Sequence, residues 1–168
     1  MEATPSVIVP SPSVRREALL FESCEQRFAL ALSDVTELTR ACSVQALPKA
    51  PDVVIGVVNL RGQIVPVLDI RRRLGLPEKA LEPSDCFMFA RVAEQRVALR
   101  VDRLLGIEEL SVTPLGEAPN LPERLAYVAG VAAVADGVVF IYDLEQFLSG
   151  AEASVLDRAL SLAEEGGA

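Results

Sequence analysis

The residues of this chain that could do chemistry are its carboxylates, its arginines and three cysteines, because it contains no histidine. Histidine is the commonest general base near neutral pH and the commonest metal ligand, so catalysis would have to rest on carboxylates alone. Cys24, Cys42 and Cys86 form no C-x-x-C pair and are odd in number. They read as reduced thiols buried among apolar neighbours in a cytoplasmic protein, not as a disulfide, redox or metal set. Asp69 and Asp143 each precede a short helical pattern, IRRRL and LEQFL, where an aspartate caps a helix by accepting backbone N–H groups. The arginines remain: Arg61 within NLRG, and Arg71, Arg72 and Arg73 in succession. A guanidinium offers five donors in a planar fork suited to interfaces and carboxylates. No phosphate-loop, dinucleotide, G-x-S-x-G or H-E-x-x-H pattern occurs. The sequence therefore predicts no catalytic, metal or cofactor site, and no enzyme.

Charge narrows the partners. The 168 residues carry a formal net charge of −8 with a pI near 4.6, which argues against nucleic acid and against docking on anionic lipid. The apolar runs are of strand length, well short of the roughly 20 residues a membrane helix needs, so no membrane insertion is expected. Residues 1–16, with their prolines and no basic leader, read as a disordered tail rather than a signal peptide.

The elements that must position the arginines are strands. From Glu17 on, short β-branched runs alternate with turn formers such as Arg61-Gly62 and Asp136-Gly137, the pattern of an all-β barrel or sandwich. Three short helices are expected, one at Ser33-Asp34 followed by Val35–Leu38, and one after each of Asp69 and Asp143. A C-terminal amphipathic helix and tail occupy 151–168, with Val155, Leu156, Ala159, Leu160 and Ala163 on one face, which docks on the barrel or binds a partner.

The chain also repeats itself. Gly56–Leu74 aligns without gaps on Gly130–Leu148, an offset of 74, and Glu25–Val35 aligns on Glu94–Leu104, an offset of 69. The simplest account is two similar small β-barrels, each ending in a hairpin and a short helix. Residues common to both copies, Asp69 and Asp143 among them, belong to the fold. Residues that differ need another reason: Asn59, Leu60, Arg61 and Gly62 stand where the second copy has Ala133, Val134, Ala135 and Asp136. Arg61 is either an interface residue or fills a hydrogen-bonding need between the barrels. Arg71-Arg72-Arg73 faces Glu145-Gln146-Phe147 in the second copy, and reads as a solvated helix face or a contact for an acidic partner.

These residues resemble a known family. GVVNLRGQIVPVLDIRRRLGL is similar to the signature of the CheW-like domain, G-V-x-N-L-R-G-x-[IV]-V-P-[VI]-[IVL]-D-[LI]-R, and the likeness extends through LPKAPDVVIG, ALRVDRLLGI and YVAGVAAVADGVVFIYDLEQFL. It implies a mainly β domain over about 17–150, made of two SH3-like five-stranded barrels in tandem with hairpins at 56–69 and 130–143. It also implies a cytoplasmic adaptor that couples the hairpin tip of chemoreceptors to the regulatory domain of the histidine kinase CheA. Carried over by motif, Asn59, Leu60, Arg61 and Gly62 match the receptor-coupling region, and Val35 and Glu37 match a V-x-E segment beside it. An ion pair between Glu37 and Arg61 is expected. Ala98 and Arg100 depart from the family pattern, which has glycine and an aliphatic residue there, and so bear on receptor docking at the groove between the barrels.

Two other readings compete. One is an adaptor of a non-flagellar array, binding kinase without the standard receptor. The other is a small-ligand or catalytic barrel using the groove, which perturbed carboxylates there would favour; an open apolar groove rimmed by Arg61 favours the adaptor.

Overall fold

The computed structural model describes residues 14–92, 94–114, 127–135, 137–146 and 150–166. Ten strands carry the fold: β1 (Val14–Ser23), β2 (Gln26–Ala31), β3 (Val35–Arg40), β4 (Val54–Leu60), β5 (Gln63–Asp69), β6 (Cys86–Val92), β7 (Gln95–Val101), β8 (Arg103–Pro114), β9 (Val128–Val134) and β10 (Gly137–Tyr142). The helices are α1 (Ile70–Arg73) and α2 (Gly150–Gly166), with single 3-10 turns at Leu32–Asp34 and Leu144–Gln146. The expected tail lies mostly outside the described residues, but β1 begins at Val14, inside that span.

The strands form two five-stranded units. β1-β2-β10-β9-β8 closes into a barrel, and β3-β6-β7-β5-β4 curls into a second unit whose terminal strands are β3 and β4. The mainly β architecture of two small barrels is therefore present, but the two sequence copies do not fold separately. The hairpin of copy one, β4–β5, pairs in parallel with β7 of copy two, at Val67 opposite Ala98. The hairpin of copy two, β9–β10, pairs in parallel with β2 of copy one, at Ile141 opposite Ala29. The offsets of 74 and 69 carry one contact onto the other, so the exchange is itself symmetric.

Three apolar clusters explain why the strands read as continuous hydrophobic runs. Ala18, Leu20, Ala29, Leu110, Val112, Ala132, Val139 and Ile141 fill the closed barrel. Val58, Val65, Val67, Phe87, Phe89 and Ala98 fill the second. Between them lies a larger cluster that includes Leu19, Phe21, Phe28, Leu30, Leu68, Met88, Leu99, Val101 and Tyr142. Because side chains alternate along a strand, β6 and β7 send one set into the second barrel and the other into the shared layer, so both faces are apolar.

Gly56 and Gly130, equivalent in the repeat, admit an outside strand. A Cβ on Gly56 would stand 2.3 Å from the Gln45 carbonyl oxygen, and one on Gly130 would stand 2.5 Å from Val112 Cγ1 and 2.9 Å from the Thr113 carbonyl oxygen. Gln45 bridges Val57 just as Thr113 pairs with Val131.

The helical expectations need two corrections. Val35–Arg40 is a strand, preceded by the 3-10 turn at Leu32–Asp34 that no side chain caps. Its β-branched Val35, Thr36 and Thr39 favour extended backbone, and their alternation of half-buried and exposed positions suits an edge strand. The helix α2 docks through buried Leu156 and Ala159, with Leu160 and Ala163 packed beside them; Val155, placed on that face by the sequence, is exposed. Asp69 and Asp143 do cap: Asp69 Oδ1 accepts from the Arg71 N–H at 3.0 Å and Asp143 Oδ1 from the Glu145 N–H at 3.0 Å. The thiols differ from expectation, since Cys24 and Cys86 are half-buried and Cys42 is exposed.

Candidate protein-interaction site

The β4–β5 turn is the two-residue pair Arg61-Gly62, with Leu60 opposite Gln63. Arg61 has φ +53° and Gly62 φ +85°; positive φ at both central positions gives the turn whose twist suits a hairpin. Glycine adopts this freely, whereas an arginine in the left-handed region costs on the order of 1 kcal/mol. Asn59 fastens the turn, its Oδ1 accepting the Gly62 N–H at 2.7 Å. The guanidinium of Arg61 donates to both oxygens of Glu37, at 3.0 and 2.5 Å. The expected ion pair is thus present and bidentate. It joins β3 and β4, the two terminal strands of the second unit.

Glu37 holds a second cation that the sequence reading did not single out. Arg96, at the start of β7, donates from Nη2 to Glu37 Oε2 at 3.3 Å and to Thr36 Oγ1 at 3.4 Å, with its guanidinium 5.7 Å from the Phe89 ring centre. Register explains the meeting. Phe89 and Ala98 are opposed inside the barrel, and Arg91 and Arg96 are the next opposed pair on that face. Glu37 pairs with Phe89 from β3. The barrel's apolar filling therefore ends at a charged mouth made by Glu37, Arg61, Arg91 and Arg96. Arg61 remains 71% exposed and Glu37 21%. Val35 and Leu60 are half-buried, while Asn59 and Gly62 are exposed at the tip.

The other end of the same barrel is plugged by a buried ion cluster. Arg100 sits beyond Ala98 and is 3% exposed; it donates to Asp85 Oδ2 at 3.1 Å from Nε and to Asp69 Oδ2 at 3.3 Å from Nη1, and to the carbonyls of Lys79 and Ala80 at 2.6 and 2.8 Å. Burial pushes the Asp69 carboxyl above its ordinary value, against the opposing pull of the Arg71 N–H and of Arg100. Neither Ala98 nor Arg100 stands on a surface, contrary to expectation: Ala98 is wholly enclosed, and Arg100 neutralises carboxylates and pins the 79–80 backbone.

The arginine run is likewise mostly internal rather than a solvated face. Arg71 is buried, binding Asp102 Oδ2 at 2.6 Å and the Pro77 carbonyl at 3.0 Å. Arg73 binds Glu152 of α2 at 2.7 Å and lies 5.3 Å from the Tyr127 ring centre, tying the helix to α1. Only Arg72 faces outward, to Glu78 at 3.3 Å and the Asp52 carbonyl at 2.9 Å.

A groove of about 990 Å³ runs from Gln63 and Arg96 along α2, with Ile64, Pro66, Val92 and Leu160 as its apolar lining. Arg96 rims it, not Arg61. Among the described residues no group of three or more Cys, Asp or Glu side chains is arranged to hold a metal. Asp34, raised by burial and by Asp143 against Arg16, and Asp69 lie outside the groove lining. No described helix is long and apolar enough to cross a membrane.

Comparison with known proteins agrees with this architecture. The profile described as CheW-like domain matches residues 17–152. The chain is 25% identical over 147 residues to "Chemotaxis protein CheW" of Klebsiella aerogenes, covering 86% of this chain and 89% of that protein. It is 29% identical over 134 residues to the protein of the same name from Rhizobium meliloti, covering 77% and 85%. Over 104 residues it is 26% identical to "Protein FrzA" of Myxococcus xanthus, covering 62% and 65%. The crystal structure of the scaffolding protein TtCheW from Thermoanaerobacter tengcongensis shares the fold, with a TM-score of 0.73 at 24% identity over 83% of this chain and 96% of that one. With the profile spanning most of the described strands and the two-barrel fold in common, this chain belongs to the CheW-like domain family.

Proposed function

We propose that this chain is a non-enzymatic cytoplasmic adaptor that couples chemoreceptors to a CheA-type histidine kinase, and that it meets the receptor at this mouth and the adjoining hairpin tip, through Val35, Glu37, Asn59, Leu60, Arg61 and Gly62. One observation carries the assignment of the surface. The β4–β5 tip departs from its repeat-equivalent, and it places an arginine that is itself 71% exposed in a left-handed conformation to pair with half-buried Glu37. An exposed pair contributes only about 0–1 kcal/mol to stability, so stability alone does not account for it. Relatives named for chemotaxis, and the scaffolding protein with the same fold, supply the class of process.

Glu37 positions Arg61 here, and Asn59 sets the turn that carries it. The buried cations Arg71 and Arg100 and the half-buried Arg73 hold the frame behind the mouth. The test is separate binding of the full chain to the CheA regulatory domain and to a receptor cytoplasmic fragment from the same genome. Dissociation constants of roughly micromolar order are expected for each. Failure of both to bind at about 100 μM rejects the adaptor reading.

A further inference from the structure

The charge at the mouth of the second barrel is opposite to that of the protein. Arg61, Arg91 and Arg96 face Glu37, and even with Glu94 of the β6–β7 turn counted the mouth is net positive, on a chain of net −8. The fold accounts for Arg96 in part, through Glu37 and the Phe89 ring, but not for Arg91 set opposite it. Arg91 and Arg96 are directly opposed on one face of the β6–β7 hairpin, and like charges so placed repel. Arg91 is exposed and has no ion-pair partner among the described residues. Arg96 leaves its Nε buried without a hydrogen-bond partner, a costly state for a donor. One carboxylate, Glu37, serves two guanidiniums, Arg61 in bidentate fashion and Arg96 through a single nitrogen. Donors on Arg61 and Arg91 remain directed to solvent.

We propose that these three arginines make the mouth a carboxylate-selecting surface: the segment that docks on the hairpin tip brings an Asp or Glu side chain to the guanidinium donors that Glu37 leaves open. Arg91 and Arg96 are its specificity residues, and Glu37 holds Arg61 and Arg96 at the spacing a second carboxylate bridges. Guanidinium–carboxylate hydrogen bonds are charge-assisted and directional, so they select among partner segments as well as attract them. This rests on the coupling role proposed above and names the chemistry of the partner at the same site.

The test uses the full-length chain and a receptor cytoplasmic fragment, with affinity measured at about 50 and 300 mM salt, where screening of exposed charge differs strongly. Arg91→Gln and Arg96→Gln should each weaken binding about three- to ten-fold at low salt and flatten the salt dependence. Arg91→Gln should also unfold at a slightly higher denaturant midpoint, because it relieves the repulsion with Arg96. Replacing the Asp and Glu residues of the fragment's tip singly by Asn and Gln should find one that weakens wild type but leaves Arg96→Gln unchanged. Wild-type affinity and salt dependence in both arginine variants would overturn the proposal while leaving the coupling role intact. A wild-type chain that binds no fragment would overturn both. Equal losses with every fragment variant would mark the arginines as structural and overturn it too.

Discussion

Glu37 and Arg61 connect the two strands of the second barrel that end its hydrogen-bonded order, β3 and β4. The link is a side-chain bridge across an opening, not part of a backbone ladder. Removing it should therefore cost little stability: Arg61→Ala is expected to lower the unfolding free energy by less than about 1 kcal/mol, as read from urea denaturation.

The buried plug at the opposite end behaves differently. Arg100→Val leaves Asp69 and Asp85 enclosed without their cation, and loss of one partner from a buried pair costs about 3–5 kcal/mol. Adding Asp85→Asn should recover part of that loss, because the uncompensated charge is removed while the side-chain oxygen still accepts the Glu82 N–H. Denaturation midpoints of the single and double variants check this, the single being the less stable.

The chemistry of the tip was legible in the sequence because the chain carries its own control. Comparing Arg61 with Ala135 separated the arginine from the fold, and the ion pair to Glu37 followed from the motif. The same comparison concealed Arg96, since Arg27 occupies its equivalent in the first copy and shared residues read as structural. Its role appears only through register, which sets Arg96 beside Arg91 and next to Glu37. Arg71, Arg73 and Arg100 misled for the reverse reason: polarity suggests exposure, but Asp102, Glu152, Asp69 and Asp85 come from distant segments to neutralise them. The exchange of strands between copies was equally hidden, because each parallel pairing joins runs from different repeats. Val35–Leu38 looks helical in the sequence because four residues show little periodicity and Ser33-Asp34 resembles a cap.

Two glycines of the β4–β5 hairpin give a graded test. Gly56→Ala drives a Cβ into backbone at Gln45 and adds strain at φ +155°, so a loss of about 2 kcal/mol or more is expected. Gly62→Ala meets no atom within 4 Å and is penalised only by φ +85°, about 1 kcal/mol. Thermal unfolding of the two variants should preserve that order.

Asp102 gives the pH dependence. Burial pushes its carboxyl up, but the Cys24 N–H and the Arg71 guanidinium outweigh this and hold it below the ordinary value of 3.8. A carboxylate with a lowered folded pKa contributes stability that is full above its unfolded pKa and is lost as pH falls through the folded one. Asp102→Asn should thus be less stable than wild type at pH 7, with the difference shrinking below about pH 4. Urea midpoints across pH 2–7 measure it; a difference that is constant with pH would exclude a charge contribution from Asp102.

The mouth around Arg61 is the proposed receptor-coupling surface, held by the ion pairs behind it. Binding of Arg61→Ala to a receptor cytoplasmic fragment and, separately, to the CheA regulatory domain tests it most directly. Receptor affinity should fall about ten-fold or more, with kinase affinity unchanged and the unfolding midpoint close to wild type. Receptor affinity equal to wild type in the folded variant would contradict it.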